Sequence, residues 1–141
     1  MRKATRVRDA DYERLLTVRT ELRRFEQWSA ARAAEHGLTS SQHQLLLAVR
    51  GHPGAAGPTI GEAAGYLMVR HHTAVELADR TQELGLLERT RDATDHRVVR
   101  LSLTPAGKAR LAELSGAHLE ELRRTASLVD ALVGELRAAQ P

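Results

Sequence analysis

The chain has 141 residues, 42% of them hydrophobic and 28% charged, enough for one domain with a core of its own and no need of cross-links. It contains no cysteine, which excludes disulfides, thiolate metal sites and cysteine nucleophiles. Net charge is only +3, yet Lys3 and Lys108 are the sole lysines among 21 basic residues; arginine suits bidentate phosphate and guanine contacts, although much of the excess is compositional and position must decide.

Arg2, Lys3, Arg6 and Arg8 form a basic start with no apolar stretch behind it. A secretory signal is therefore not expected, and the segment reads as a solvated end or as an arm touching DNA. No apolar run approaches the roughly 20 residues of a membrane helix. A cytoplasmic protein with no membrane partner is the expectation.

Residues 9–36 read as a long helix, with Tyr12, Leu15, Leu16, Leu22, Phe25 and Trp28 recurring at helical spacing and Asp9 and Asp11 near its start, where the helix dipole favours them. Core packing is the simpler role for those aromatics; the wall of an aromatic-ligand pocket is the functional one. Gly37 ends this helix. Thr39 with Gln42, or Ser41 with Gln44, can cap a second helix that Leu45, Leu46, Leu47 and Val49 would bury. His43 reads as a surface or hydrogen-bonded histidine. The run His52-Pro53-Gly54-Ala55-Ala56-Gly57-Pro58 is a loop on composition.

Thr59 and Glu62 have capping-box spacing and open a short helix, followed by a turn near Met68 and Val69. A further helix carries Ala74, Leu77, Ala78, Thr81 and Leu84 on one face, which leaves His72, Glu76, Asp79 and Glu83 opposite. Gly85 is placed as a left-handed stop with Leu86 closing the end. Two strands follow, over 86–91 and 97–104, where Val99, Leu101 and Leu103 alternate with Arg100 and Ser102. The tip between them, Asp92 to His96, is rich in turn formers. Helix, turn, helix and charged hairpin together make a winged helix, whose second helix can enter a DNA major groove.

Pro105 after Thr104 starts another helix, continued by Leu111, Leu114, Leu119 and Leu122, with Ser115-Gly116 as a bend and Leu128, Val129, Leu132, Val133 and Leu136 on a last helix. One small domain has little use for long apolar helices at both ends, so pairing with a second copy is expected. The fold class is mainly α with a small antiparallel β-hairpin: one domain over 1–141, with a winged helix-turn-helix over 38–104 flanked by dimerisation helices at 9–36 and 105–139.

Leu77, Asp79-Arg80, Gly85-Leu86-Leu87-Glu88-Arg89, Asp92, Asp95-x-Arg97 and Leu101-x-Leu103-Thr104-Pro105-Ala106-Gly107 resemble the MarR family of bacterial transcriptional regulators. The resemblance implies a homodimer on a pseudo-palindromic duplex, regulated by a small aromatic or phenolic anion bound between the dimer helices and the reading lobe. It cannot include the cysteine-based peroxide sensing of some members. On this reading Arg70, His71, His72, Thr73 and Glu76 face bases or phosphates from the second helix, and Arg91, Asp95 and Arg97 act from the hairpin, with Asp95 holding Arg97 for the minor groove or backbone. Trp28, His43, Leu47 and Arg50 are the candidate effector walls.

Two features depart from the family's pattern. A carboxylate at Glu76 repels phosphate unless it accepts from cytosine or pairs with Arg80. Arg70 stands where a small capping residue is usual. Adjacent His71 and His72 point about 100° apart and are poorly disposed to share a metal ion, so neither a metal nor a cofactor is expected. No His-Glu-x-x-His or Gly-x-Ser-x-Gly pattern is present, and an enzyme is not expected. The alternative is a winged module that binds protein and has lost specific DNA binding.

Overall fold

The computed structural model describes residues 6–139; Arg2 and Lys3 of the basic start lie outside them. The elements run α1 (Asp9–Glu35), α2 (Ser40–Gly51), α3 (Ile60–Leu67), α4 (His71–Glu83), β1 (Leu87–Arg91), β2 (Val99–Leu103) and α5 (Pro105–Ala138). They divide into two compact units, one of residues 30–115 and one made by the chain up to Ser29 with the chain from Gly116 onward.

In the 30–115 unit, local chemistry sets each helix start. Thr39 accepts from the Gln42 amide while the Gln42 side chain returns to the Thr39 amide, at 3.1 and 2.9 Å. Thr59 and Glu62 repeat the device at 3.2 Å each way. The other spacing, Ser41 with Gln44, is not used; Gln44 donates to Ser40 instead. Leu45, Leu46 and Val49 are buried, but Leu47 is 53% exposed, because successive helical residues turn about 100° and it falls past the edge of the buried arc. His43 is buried rather than on the surface.

Helix α3 stops at Met68, which takes φ 55° and is 93% exposed; the amides of Met68 and Val69 then reach back to the Gly65 and Ala64 carbonyls. Helix α4 packs through Ala74, Ala78 and Thr81. Leu84 does not join that face and is exposed, since it caps the helix and the chain turns away at Gly85, φ 76°. Leu86 behind it is buried, as the left-handed stop requires.

Strands β1 and β2 pair antiparallel with Leu87 opposite Leu103 and Arg91 opposite Val99. Both are shorter than expected. Arg97 and Val98 belong to the tip, where the Val98 amide donates to Asp95 and the Asp92 amide to Val98, and Val99 is left exposed. On the far side of β2, Thr59 forms a bridge with Arg100, and the Leu101 amide donates to the Pro58 carbonyl at 2.8 Å. That approach requires glycine next door: a methyl on Gly57 would sit 1.7 Å from the Leu101 carbonyl oxygen. Gly107 is wedged in the same way, 2.1 Å from the Leu86 oxygen.

Helix α5 opens on Thr104, whose hydroxyl accepts from the Gly107 amide and donates to the Gly85 carbonyl. It then runs to Ala138 as one helix, without the separate last helix expected over Leu128 to Leu136. Ser115 returns its hydroxyl to the Leu111 carbonyl, and one glycine costs a helix only about 1 kcal/mol.

The other unit pairs the first part of α1 with the last part of α5. Trp28 and His118 have ring centroids 4.8 Å apart with Phe25 beside both, and Ser29 meets the His118 ring at 2.7 Å. Arg14 bonds Glu135 and Asp11. Core packing was the simpler expectation for the aromatics of α1; Phe25 and Trp28 are partly buried, but Tyr12 is exposed within the single chain, as are Leu15, Leu16, Leu22, Leu119 and Leu122.

Candidate nucleic-acid interface

The leading turn of α4 projects its polar side chains outward. Arg70 occupies the N-cap position with extended backbone and makes no capping bond with its side chain, so its guanidinium is not consumed by the helix end. His71, His72 and Thr73 are exposed, and none of the four has a side-chain partner among the described residues. No third ligand-type side chain converges on the two histidines among those residues.

Glu76 follows one turn later, exposed and without an ion pair to Arg80 among the described residues. Thr73, Glu76 and Arg80 line a cleft of about 330 Å³ with Thr39, Ser41 and Gln42 from the start of α2. The same helix face is therefore mixed in charge, with donors at its tip and a carboxylate behind them.

Asp79 does not stay on that free face. Arg89 of β1 bonds it at 2.6 Å and also reaches Gln82. This cross-link ties the C-terminal half of α4 to the hairpin and leaves the N-terminal half projecting.

In the hairpin, Asp92 organises the tip. One of its oxygens accepts from the Thr94 hydroxyl at 2.7 Å and from the amides of Thr94 and Asp95 at 3.1 and 3.0 Å; the other accepts from Arg100 at 2.7 Å. Those bonds, with Arg100 first and Thr94 second, hold the carboxyl well below the ordinary aspartate range. The pattern Asp92-Ala93-Thr94 is an Asx-turn signal, so this role was open to sequence reasoning that treated the residue only as part of a charged tip.

Asp95 meets Arg97 through both carboxylate oxygens, at 3.1 and 3.3 Å, and also accepts from its amide. The arrangement the resemblance implied is thus present as geometry, and the Arg97 hydrogen bonds lower the Asp95 pKa. The Arg97 side chain is nevertheless 91% exposed, with donors left for another partner. Arg91 instead donates to the His96 carbonyl and braces the tip.

The four candidate effector residues separate. Trp28 lies in the α1/α5 unit against Phe25 and His118. His43, Leu47 and Arg50 share α2 but not a direction: His43 is buried, Leu47 lines a cleft of about 310 Å³ with Tyr66 and Leu67, and Arg50 lines another of about 190 Å³ with His52 and Lys108. Among the described residues no helix is long and apolar enough to cross a membrane.

Comparison with known proteins bears on this arrangement. Residues 36–98 match the family model described as the MarR family. An uncharacterised HTH-type transcriptional regulator of Bacillus subtilis, YsmB, is 40% identical over 65 residues, covering 46% of this chain and 44% of its own length; the chain is thus matched over less than half of that relative. In fold, E. coli MarR without ligand aligns at a TM-score of 0.66 and 23% identity over 89% of this chain and 95% of its own. A variant of S. aureus MepR bound to an oligodeoxyribonucleotide aligns at 0.67 and 20% identity, over 92% and 98%.

Proposed function

We propose that the chain, whose residues 36–98 match the MarR family model, is a transcriptional regulator of that kind that binds double-stranded DNA sequence-specifically, as a homodimer on a pseudo-palindromic operator. One observation carries the reading: the first turn of α4 holds Arg70, His71, His72 and Thr73 in solvent with no partner among the described residues. Arg70 can give two hydrogen bonds to guanine, the histidines can donate or accept, and Thr73 can meet a phosphate or a thymine methyl. Arg97 is the hairpin's contact, since a narrow minor groove concentrates negative potential and attracts arginine. The MepR variant of similar fold, bound to an oligodeoxyribonucleotide, supports this use of the fold.

The dimer reading draws support from the exposed Leu16, Leu22, Leu119 and Leu122 of the α1/α5 unit. Two-fold symmetry then sets two α4 helices one DNA turn apart, roughly 34–36 Å. Repression follows if the operator overlaps a promoter. The effector of the proposal is a small aromatic or phenolic anion. It acts only by favouring a helix spacing that does not match DNA. Trp28 is the only tryptophan, so titration with a hydroxybenzoate reads its fluorescence directly; saturable quenching with weakened DNA binding is expected, and unchanged DNA affinity rejects this effector class.

The decisive experiment is selection from random duplexes by the purified chain, followed by a salt titration. Enrichment of a palindrome with steep salt dependence is expected, and Arg70→Ala should cost about tenfold in affinity and relax one position of the site. A second reading, a winged module that binds protein, is favoured by Glu76, an unpaired carboxylate among the described residues on the face that would meet phosphate. Failure to enrich any duplex at low salt would select it.

A further inference from the structure

We propose that Arg100 is a positioning residue: from the middle of β2 it clamps the hairpin tip to α3 and thereby fixes the direction in which Arg97 is presented. Arg100 sits at a backbone junction, paired with Thr90 on one side of β2 and bridged to Thr59 on the other. Its guanidinium uses its fork in two directions. Nε donates to Asp92 at 2.7 Å, and the NH1 nitrogen donates to the Gly57 carbonyl at 3.0 Å while lying 3.8 Å from Glu62.

Each end of this clamp is itself anchored. Glu62 is the capping acid of α3, and its second oxygen lies 3.3 Å from His52, whose other ring nitrogen meets the Tyr66 hydroxyl at 2.8 Å. At the far end, Asp92 orders the amides of Thr94 and Asp95, and Asp95 holds Arg97. A continuous set of hydrogen bonds therefore runs from the Gly57 carbonyl, in the loop that leads into α3, through Arg100 and Asp92 to Arg97, with Glu62 of α3 paired at 3.8 Å. A planar fork suits this junction, because it can serve an acid and a carbonyl at once from a half-buried stem.

The consequence is pre-organisation. A free tip would have to be ordered when DNA arrives, whereas this one is already ordered and Arg97 loses less freedom on contact. The value of the clamp for recognition rests on the DNA-binding reading; the clamp itself does not.

The test compares full-length wild type with Arg100→Gln, Arg97→Ala, their double variant and, in case Arg100→Gln fails to fold, Asp92→Asn. In the absence of DNA, amide order parameters at Thr94 and Asp95 should fall from about 0.85 to below about 0.6 in Arg100→Gln and Asp92→Asn, with those of α4 unchanged. On the selected duplex, Arg100→Gln should lose about tenfold in affinity and about one unit of salt slope. The double variant should bind within about twofold of Arg97→Ala, since both changes remove one contact. Unchanged order at the tip overturns the clamp, and additive affinity losses overturn its action through Arg97. If wild type selects no duplex, the DNA-binding reading falls, and the order parameters alone still decide whether Arg100 holds the tip.

Discussion

The two units bury opposite kinds of residue. Among the described residues, every buried hydrophobic side chain lies between Ala33 and Leu114, inside the 30–115 unit, whereas the buried residues of the α1/α5 unit are Glu21 and Thr125, both polar. Leucines that ought to be inside that second unit are on its surface, and Glu21 is held inward by Arg24 at 2.6 Å with Arg124 near its other oxygen. Burial of apolar area is the main favourable term in folding. The winged unit therefore has a closed core in one chain, and the helical unit leaves Leu15, Leu16, Leu22, Leu119 and Leu122 exposed. Exposed apolar surface on that scale is the mark of an interaction site.

The contrast can be broken most forcefully from the winged side. Leu45→Ala empties a fully buried position and should cost about 3 kcal/mol, seen as a lower denaturation midpoint that does not depend on protein concentration. A slightly smaller effect is expected from the other side, where Leu16→Asp should leave the winged unit folded but convert the proposed dimer to monomer in light scattering. Its operator affinity should drop by about a hundredfold through lost bivalency. If Leu16→Asp stayed dimeric, the comparison between the units would lose its meaning.

Glu76→Gln sharpens the role of the reading face alone. Removing the carboxylate should raise DNA affinity a few-fold, on the order of 1 kcal/mol or less, and broaden preference at one base pair; a loss of affinity would mean that Glu76 makes a direct base contact. The smallest expected effect concerns pH. Asp92 and Asp95 have folded pKa values below their unfolded ones, so the stability they add is fully present above about pH 4 and is lost as pH falls through the lowered values. Protection of the Thr94 and Asp95 amides, which Asp92 holds, should persist at about pH 5 and be lost only in stronger acid.

Devices spanning three or four residues were legible in the sequence. The boxes at Thr39 and Thr59, the stop at Gly85 and the cap at Thr104 each depend on a few neighbours, and all four formed. Asp95 with Arg97 was legible through the family resemblance, at a separation of two. Pairings that hairpin register creates were not: Arg89 with Asp79 and Arg100 with Asp92, Gly57 and Glu62 join residues up to 43 apart. Periodicity also overstated burial at Leu47 and Leu84, because it identifies apolar residues at helical spacing without saying where the opposing surface ends. The separate last helix expected over Leu128 to Leu136 is the continuation of α5, because a long helix carries one glycine without ending.

The glycine wedges at 57 and 107 divide the hairpin into parts with unequal freedom to vary. At its root the two carbonyls leave no room even for a methyl group, so side-chain additions there must displace a backbone. Residues 93–96 face solvent apart from the half-exposed Asp95, and bear no such wedge. Exposed Ala93 and His96 can therefore take other side chains without moving a backbone, which Gly57 and Gly107 cannot.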